Sequence, residues 1–176
     1  MKFAGASRLR RKSNEIKFVA DSMLGSVARK LRIFGFDTLY VAHLDDSEVL
    51  KIGVDQDRVI LTADKEFFKR IVKAKAKGVL VDGSDEQKAL VHIFEKNGIE
   101  SVDGIGPESR CSLCNGSLTT IDVKDVQEVL PERIRANHNF FRCSSCGKLY
   151  WEGSHVRRMR ILARNIDQRL KDQRST

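Results

Sequence analysis

Four cysteines stand out by spacing. Cys111-x2-Cys114 and Cys143-x2-Cys146 form two pairs separated by residues 115–142. Two such pairs suit a tetrahedral Zn²⁺ ion, with thiolates approaching from two knuckles. Each second cysteine precedes a turn former, Asn115-Gly116 or Gly147, which lets the backbone curl beneath a metal. Disulfides are the competing use, but they do not suit a cytoplasmic chain with all its cysteines in CxxC pairs. A thioredoxin-like redox pair needs one CxxC opening a helix, rather than two in turns. Four thiolates leave no open coordination position, so the expected zinc is structural.

A second set of residues offers oxygen. Asp21, Asp64 and Asp82 each close an apolar run, and Asp45-Asp46 follows another. If those runs are parallel strands, their carboxylates converge at the sheet's carboxyl edge, where open α/β sheets place active sites. Clustered carboxylates repel unless a cation sits among them, and hard oxygen ligands suit Mg²⁺ or Mn²⁺. Such an ion activates water and stabilises phosphoryl charge. Plainer roles compete. Asp45 and Glu48 have capping-box spacing, which leaves Asp46 in the first helical turn. Asp64 also suits an N-cap, and Asp82 and Asp85 suit turns. Asp21, between an apolar strand and a helix, is harder to explain as filler. Thr62 lies two residues before Asp64, on the same side of a strand, where its hydroxyl can orient a ligand.

The elements that must position these groups alternate. Strands are expected at 17–21, 37–42, 58–64 and 78–82. Helices are expected at 24–34, 45–52 and 66–75, and a fourth opens at a Ser84/Gln87 capping box. The first helix turns Leu24, Val27, Ala28 and Leu31 to one face and Arg29, Lys30 and Arg32 to the other, and Gly35 stops it. The third turns Phe67, Phe68, Ile71 and Val72 inward, and the fourth Leu90, Ile93 and Phe94. Four βα units predict an α/β fold: a parallel sheet of about four strands with helices on both faces. The pattern stops at Asn97-Gly98, and residues 100–110 form a turn-rich linker. A last helix, N-capped by Ser154, aligns Met159, Leu162, Ala163, Ile166 and Leu170.

The 176 residues are 41% hydrophobic and 32% charged, a globular composition without a transmembrane run or a secretory leader. A net charge of +8 favours a polyanionic partner, RNA or DNA ahead of a membrane surface. Lys2, Arg8, Arg10, Arg11 and Lys12 crowd one end. Arg157, Arg158, Arg160, Arg164, Arg169, Lys171 and Arg174 crowd the other.

These residues carry a family likeness. The stretches are Asp21 to Asp37 (DSMLGSVARKLRIFGFD), Asp45-Asp46, Leu61 to Asp64 (LTAD), Ser109 to Asn115 (SRCSLCN) and Cys143 to His155 (CSSCGKLYWEGSH). From about Lys17 to Met159 the chain resembles the Mut7-C family of RNase-like proteins, a PIN-like nuclease domain followed by a zinc ribbon. The resemblance implies a PIN-like domain at 17–104 and a ribbon at 105–155; a basic arm at 1–16 lies outside it, and a basic helix at 156–176 closes the chain. It also implies that Asp21, Asp46 and Asp64 take the places of the first three acids of a PIN-type site, binding Mg²⁺ or Mn²⁺. The fourth is Asp82 or Asp85. Ala63 departs from the pattern, since the family usually has a basic residue before the third acid.

The expected substrate surface comprises Arg29 and Arg32 near Asp21, Tyr150 and Trp151 after the second knuckle, and His155, Arg157 and Arg158. Aromatics on a basic module can stack on unpaired bases, although at least one of this pair is expected in the ribbon's own core. The leading expectation is a cytoplasmic, metal-dependent endoribonuclease acting on RNA, with ribosomal and transfer RNA as candidates. The alternative is a non-catalytic RNA- or ribosome-binding factor. A receiver-like domain with Asp64 as phosphoacceptor would need a fifth βα unit, and the ribbon begins before one can form.

Overall fold

A computed structural model describes residues 16–102, 105–126, 132–135 and 139–174. The expected arm at 1–16 falls outside them except for Ile16.

Short apolar runs make four strands: β1 (Lys17–Ala20), β2 (Asp37–Tyr40), β3 (Val59–Thr62) and β4 (Gly78–Leu80). Between and after them lie α1 (Gly25–Ile33), α2 (Asp46–Asp55), α3 (Lys65–Lys73) and α4 (Glu86–Lys96). The strands pair in parallel in the order β2-β1-β3-β4, with Val19 opposite both Leu39 and Ile60. Alternation along each strand feeds two cores. Phe18, Ala20, Leu61 and Val79 face α1 and α4, while Val19 and Ile60 face Val49 of α2 and Phe67 and Ile71 of α3. The α/β sheet with helices on both faces is as expected. Among the described residues it stops at four parallel strands, short of a receiver's five.

Each strand ends earlier than its apolar run suggests, and after β1, β3 and β4 the acid beyond the strand is drawn into a cap or turn of its own. Asp21 accepts from the Met23 amide and caps a 3-10 turn, Ser22–Leu24, ahead of α1. Asp64 caps α3 through the amides of Glu66 and Phe67. Asp45 and Glu48 form the expected capping box on α2. The Ser84/Gln87 box does not form. Asp85 takes the cap of α4 instead, accepting from Gln87 and Lys88, because its carboxylate is one residue nearer the helix. Val72 also departs from expectation, at 59% exposed. Phe67 and Ile71, four apart, define the buried stripe, and Val72 lies a further 100° round the helix.

After the linker the chain forms an antiparallel sheet of β5 (Leu118–Ile121), β6 (Phe140–Cys143) and β7 (Leu149–Trp151), with a short α5 (Glu132–Arg135) between β5 and β6. Then comes α6 (Ser154–Arg174), in which Ser154 is the first helical residue rather than the cap. Its apolar face is the expected one, but it belongs to the first domain: Ala163, Ile166 and Leu170 are buried in the same core as Phe18, Leu31 and Phe94. Asp167 accepts from the Val102 amide at 2.7 Å, tying the helix to the linker. Among the described residues no helix is long and apolar enough to cross a membrane.

Candidate functional site

The two knuckles have the same backbone design. The Cys111 amide donates to the Gly116 carbonyl and that of Asn115 to Cys111; likewise Cys143 donates to Lys148 and Gly147 to Cys143. Asn115 and Gly147 make the reversal at φ +68° and +73°, where Asn and Gly are tolerated. At Gly116 a Cβ would lie 2.8 Å from Cys143 Sγ, so a side chain there would press on the sulfur cluster.

The four Sγ atoms lie within 4.8 Å of one another. Cys111–Cys146 and Cys114–Cys143 are 3.6 and 3.4 Å apart. A tetrahedron with Zn–S arms of about 2.3 Å has edges of about 3.8 Å, so the cluster can hold a zinc ion. Amides already face the sulfurs, Cys114 towards Cys111 and both Ser145 and Cys146 towards Cys143. Burial opposes ionisation of Cys111, but the Tyr150 hydroxyl at 3.0 Å and the amides of Cys114 and Leu113 outweigh it and bring the thiol down to about 6. Cys114 accepts from the Gly116 amide, yet its thiol neighbours push it up to about 12. Four thiolates cannot ionise together unaided, and a divalent cation removes the conflict.

The first knuckle is bolted to the parallel sheet. Arg32, only 4% exposed, donates to the carbonyls of Thr38, Ser112 and Leu113. Asn115 accepts from the Thr38 amide and donates to Asp37, whose carboxylate also receives Arg58 through both terminal nitrogens. Arg32 is therefore no substrate ligand, contrary to expectation, because its guanidinium is consumed by buried carbonyls. Lys30 pairs with Glu86, which also accepts from Ser26. Of the three basic residues on α1, Arg29 remains exposed.

The acids occupy the sheet's carboxyl edge unequally. Asp21 is 6% exposed and accepts from the Thr62 hydroxyl. That hydroxyl accepts in turn from the Asp64 amide at 2.9 Å. Thr62 thus joins the ends of the neighbouring strands β1 and β3, which carry Asp21 and Asp64. Asp46, in the first turn of α2, lies 2.9 Å from Arg70 of α3, which also donates to Ser47. Asp82 accepts from the Ser84 amide, and Asp85 is the α4 cap. Among the described residues, only the four cysteines bring three or more ligand atoms within 4.8 Å of one another.

Tyr150, Trp151 and His155 line a cleft between the ribbon and α6, while Arg157 and Arg158 are exposed on that helix. Tyr150 is committed to the knuckle: its hydroxyl meets Cys111 and Ser112, and burial with the neighbouring thiol pushes it up to about 12. Tyr40, which donates to the Ser22 carbonyl beside Asp21, carries no signal in the sequence, and neither does Arg70. Neither occupies a motif, and both are brought in by the packing of adjacent elements.

The chain is thus an α/β domain with acids along its carboxyl edge, extended by a cysteine ribbon. The model for the Mut7-C RNAse domain matches residues 16–163, and the chain belongs to that family. Membership assigns it a ribonuclease-like character. Comparison with curated proteins and with solved structures gave no match.

Proposed function

We propose that the protein is a Mg²⁺- or Mn²⁺-dependent endoribonuclease with a zinc-loaded ribbon that aids RNA binding in the cytoplasm. The observation that carries this reading is the Thr62 bridge, which ties Asp21 to the backbone entering Asp64. Two carboxylates plus substrate phosphate suffice for Mg²⁺, which seldom takes an all-protein cage. Asp21 and Asp64 would hold the ion, and Asp46 would join when Arg70 exchanges its partner for a phosphate. When bound, such an ion activates water for in-line attack on a phosphodiester. Thr62 keeps Asp21 oriented. Arg70 supplies the cation that Ala63 does not, and Arg29 adds charge along α1. Ribosomal and transfer RNA are candidate substrates.

The test is cleavage of single-stranded RNA with Mn²⁺ by the wild type, Asp21→Asn and Asp64→Asn. Each variant should lose on the order of a hundredfold in rate, as when an activated-water step is removed. Equal cleavage by all three would overturn the assignment of these acids.

A second reading draws on the Asp46–Arg70 pair and the capping role of Asp64, since each of those acids already has a structural partner. A non-catalytic RNA- or ribosome-binding factor would bind without cutting. Its affinity would fall with salt at a log–log slope of about −0.7 per phosphate neutralised.

A further inference from the structure

We propose that the cleft between the ribbon and α6 is a subsite for one unpaired nucleobase of the RNA strand. The proposal rests on RNA being the ligand.

The cleft has a volume of about 100 Å³. That is less than the roughly 150 Å³ that encloses a benzene ring, so a base would enter only in part, through the open side, with the rest of its ring and its sugar outside. Its walls are made for a flat apolar ring. Trp151 and the fixed ring of Tyr150 line it from the ribbon, Val156 and Met159 from α6, Ile33 from the end of α1 and Ile105 from the linker. Tyr150 is already anchored by its hydroxyl, so ordering it costs little on binding. Trp151 is half-buried, and Gly153 leaves room beside it: a Cβ there would lie 3.1 Å from the indole nitrogen.

The surroundings favour a nucleotide over an apolar side chain of a protein partner. Arg110 and His155 reach the cleft, Arg157 and Arg158 follow on the exposed side of α6, and Lys148 lies 5.7 Å over the Tyr150 ring. Glu152 is the one acid on the lining, and Arg160 meets its carboxylate at 2.5 Å. An apolar slot with positive charge near it is an arrangement that can hold single strands, with bases on rings and phosphates on charges. Position agrees. Ile33 ends α1, and Asp21 precedes the 3-10 turn that opens it, so the cleft and the acidic edge are separated by roughly 20 Å of helix. A few nucleotides of extended strand span that distance, passing Arg29.

Trp151 is the chain's single tryptophan, so its fluorescence reports on the cleft alone. The zinc-loaded full chain would be titrated, without Mg²⁺ or Mn²⁺, with short single-stranded oligoadenylate and with an abasic strand of equal length. The expected result is saturable quenching by oligoadenylate and about tenfold tighter binding than for the abasic strand. Val156→Phe and, independently, Met159→Phe should fill the slot and remove both effects while leaving abasic binding unchanged. Equal affinity for the two strands, unaltered fluorescence, or persistence of the preference in both folded variants would overturn the proposal. So would an apolar dye that occupies the cleft without being displaced by RNA. These outcomes are separable from failure of the nuclease reading. RNA bound and cut without base preference defeats the subsite alone, whereas base-dependent quenching with no cleavage defeats the nuclease alone.

Discussion

Arg32 sits on the polar stripe of α1 and is nevertheless buried. Its planar fork meets three carbonyls, two of them in the knuckle. Arg32→Ala should cost about 3–5 kcal/mol in urea unfolding, because those carbonyls lose their donors while remaining buried. Arg32→Lys should not restore the loss, since an ammonium cannot reproduce the fork. Asp37 gives a pH signature. Burial opposes its charge, but the hydrogen bonds from Arg58 and Asn115 outweigh burial and hold the carboxyl below its usual range. A depressed folded pKa contributes stability that is present above the ordinary carboxylate range and lost as pH falls through the folded value. Asp37→Asn should therefore flatten the stability profile below about pH 4, measured as urea midpoint against pH. The carboxylates were legible in the sequence because each ended an apolar run. The knuckle partners of Arg32 and Asp37 were not, because Ser112 and Asn115 lie 80 and 78 positions away and no local period points to them.

Among the elements, caps offer the sharpest contrast. Asp85→Ala should destabilise by about 1 kcal/mol, and Ser84→Ala by much less, in paired denaturant titrations. The reverse order would restore the box expected from spacing alone. The boundaries of the strands were hidden for a related reason: the acids that close them serve the next turn or helix, so composition runs one or two residues past the ladder. The ribbon depends on its sulfur cluster. Phe140 and Phe141 of β6 are the buried apolar side chains of its three short strands, and structural zinc supplies folding free energy outright in such modules. Chelation, or Cys146→Ser, should shift Trp151 emission to the red and collapse the signal of β5 to β7, while the far-ultraviolet helix signal falls only in part. Retention of the native spectrum without metal would show that the ribbon stands unaided.

For the whole molecule, the division into domain, ribbon and tail gives way to an interlocked arrangement. α6 leaves the ribbon and inserts Ala163, Ile166 and Leu170 into the first core, beside Phe18 and Phe94. Ile166→Ala should cost about 2–5 kcal/mol, a core-cavity value rather than a surface one. A fragment ending at residue 104 should fail to show a cooperative thermal transition, because it lacks those side chains. The apolar stripe of α6 was readable at helical spacing, but its destination was not. A stripe says that a face will be covered without saying by what, and the positive charge of the same helix pointed towards a ligand.

The Thr38 amide lies on the outer edge of the sheet and finds its acceptor in Asn115, 77 positions later. During synthesis this becomes a matter of timing. β2 is complete once Tyr40 has been added, yet the Thr38 amide has no Asn115 acceptor until the first knuckle emerges, and the four-sulfur cluster is complete only after Cys143 and Cys146 have been added. Without the knuckle in place β2 is an open strand edge, the feature that recruits neighbouring chains into aggregates. Zinc starvation during expression would then be expected to lower the soluble yield, through a strand that never touches the metal.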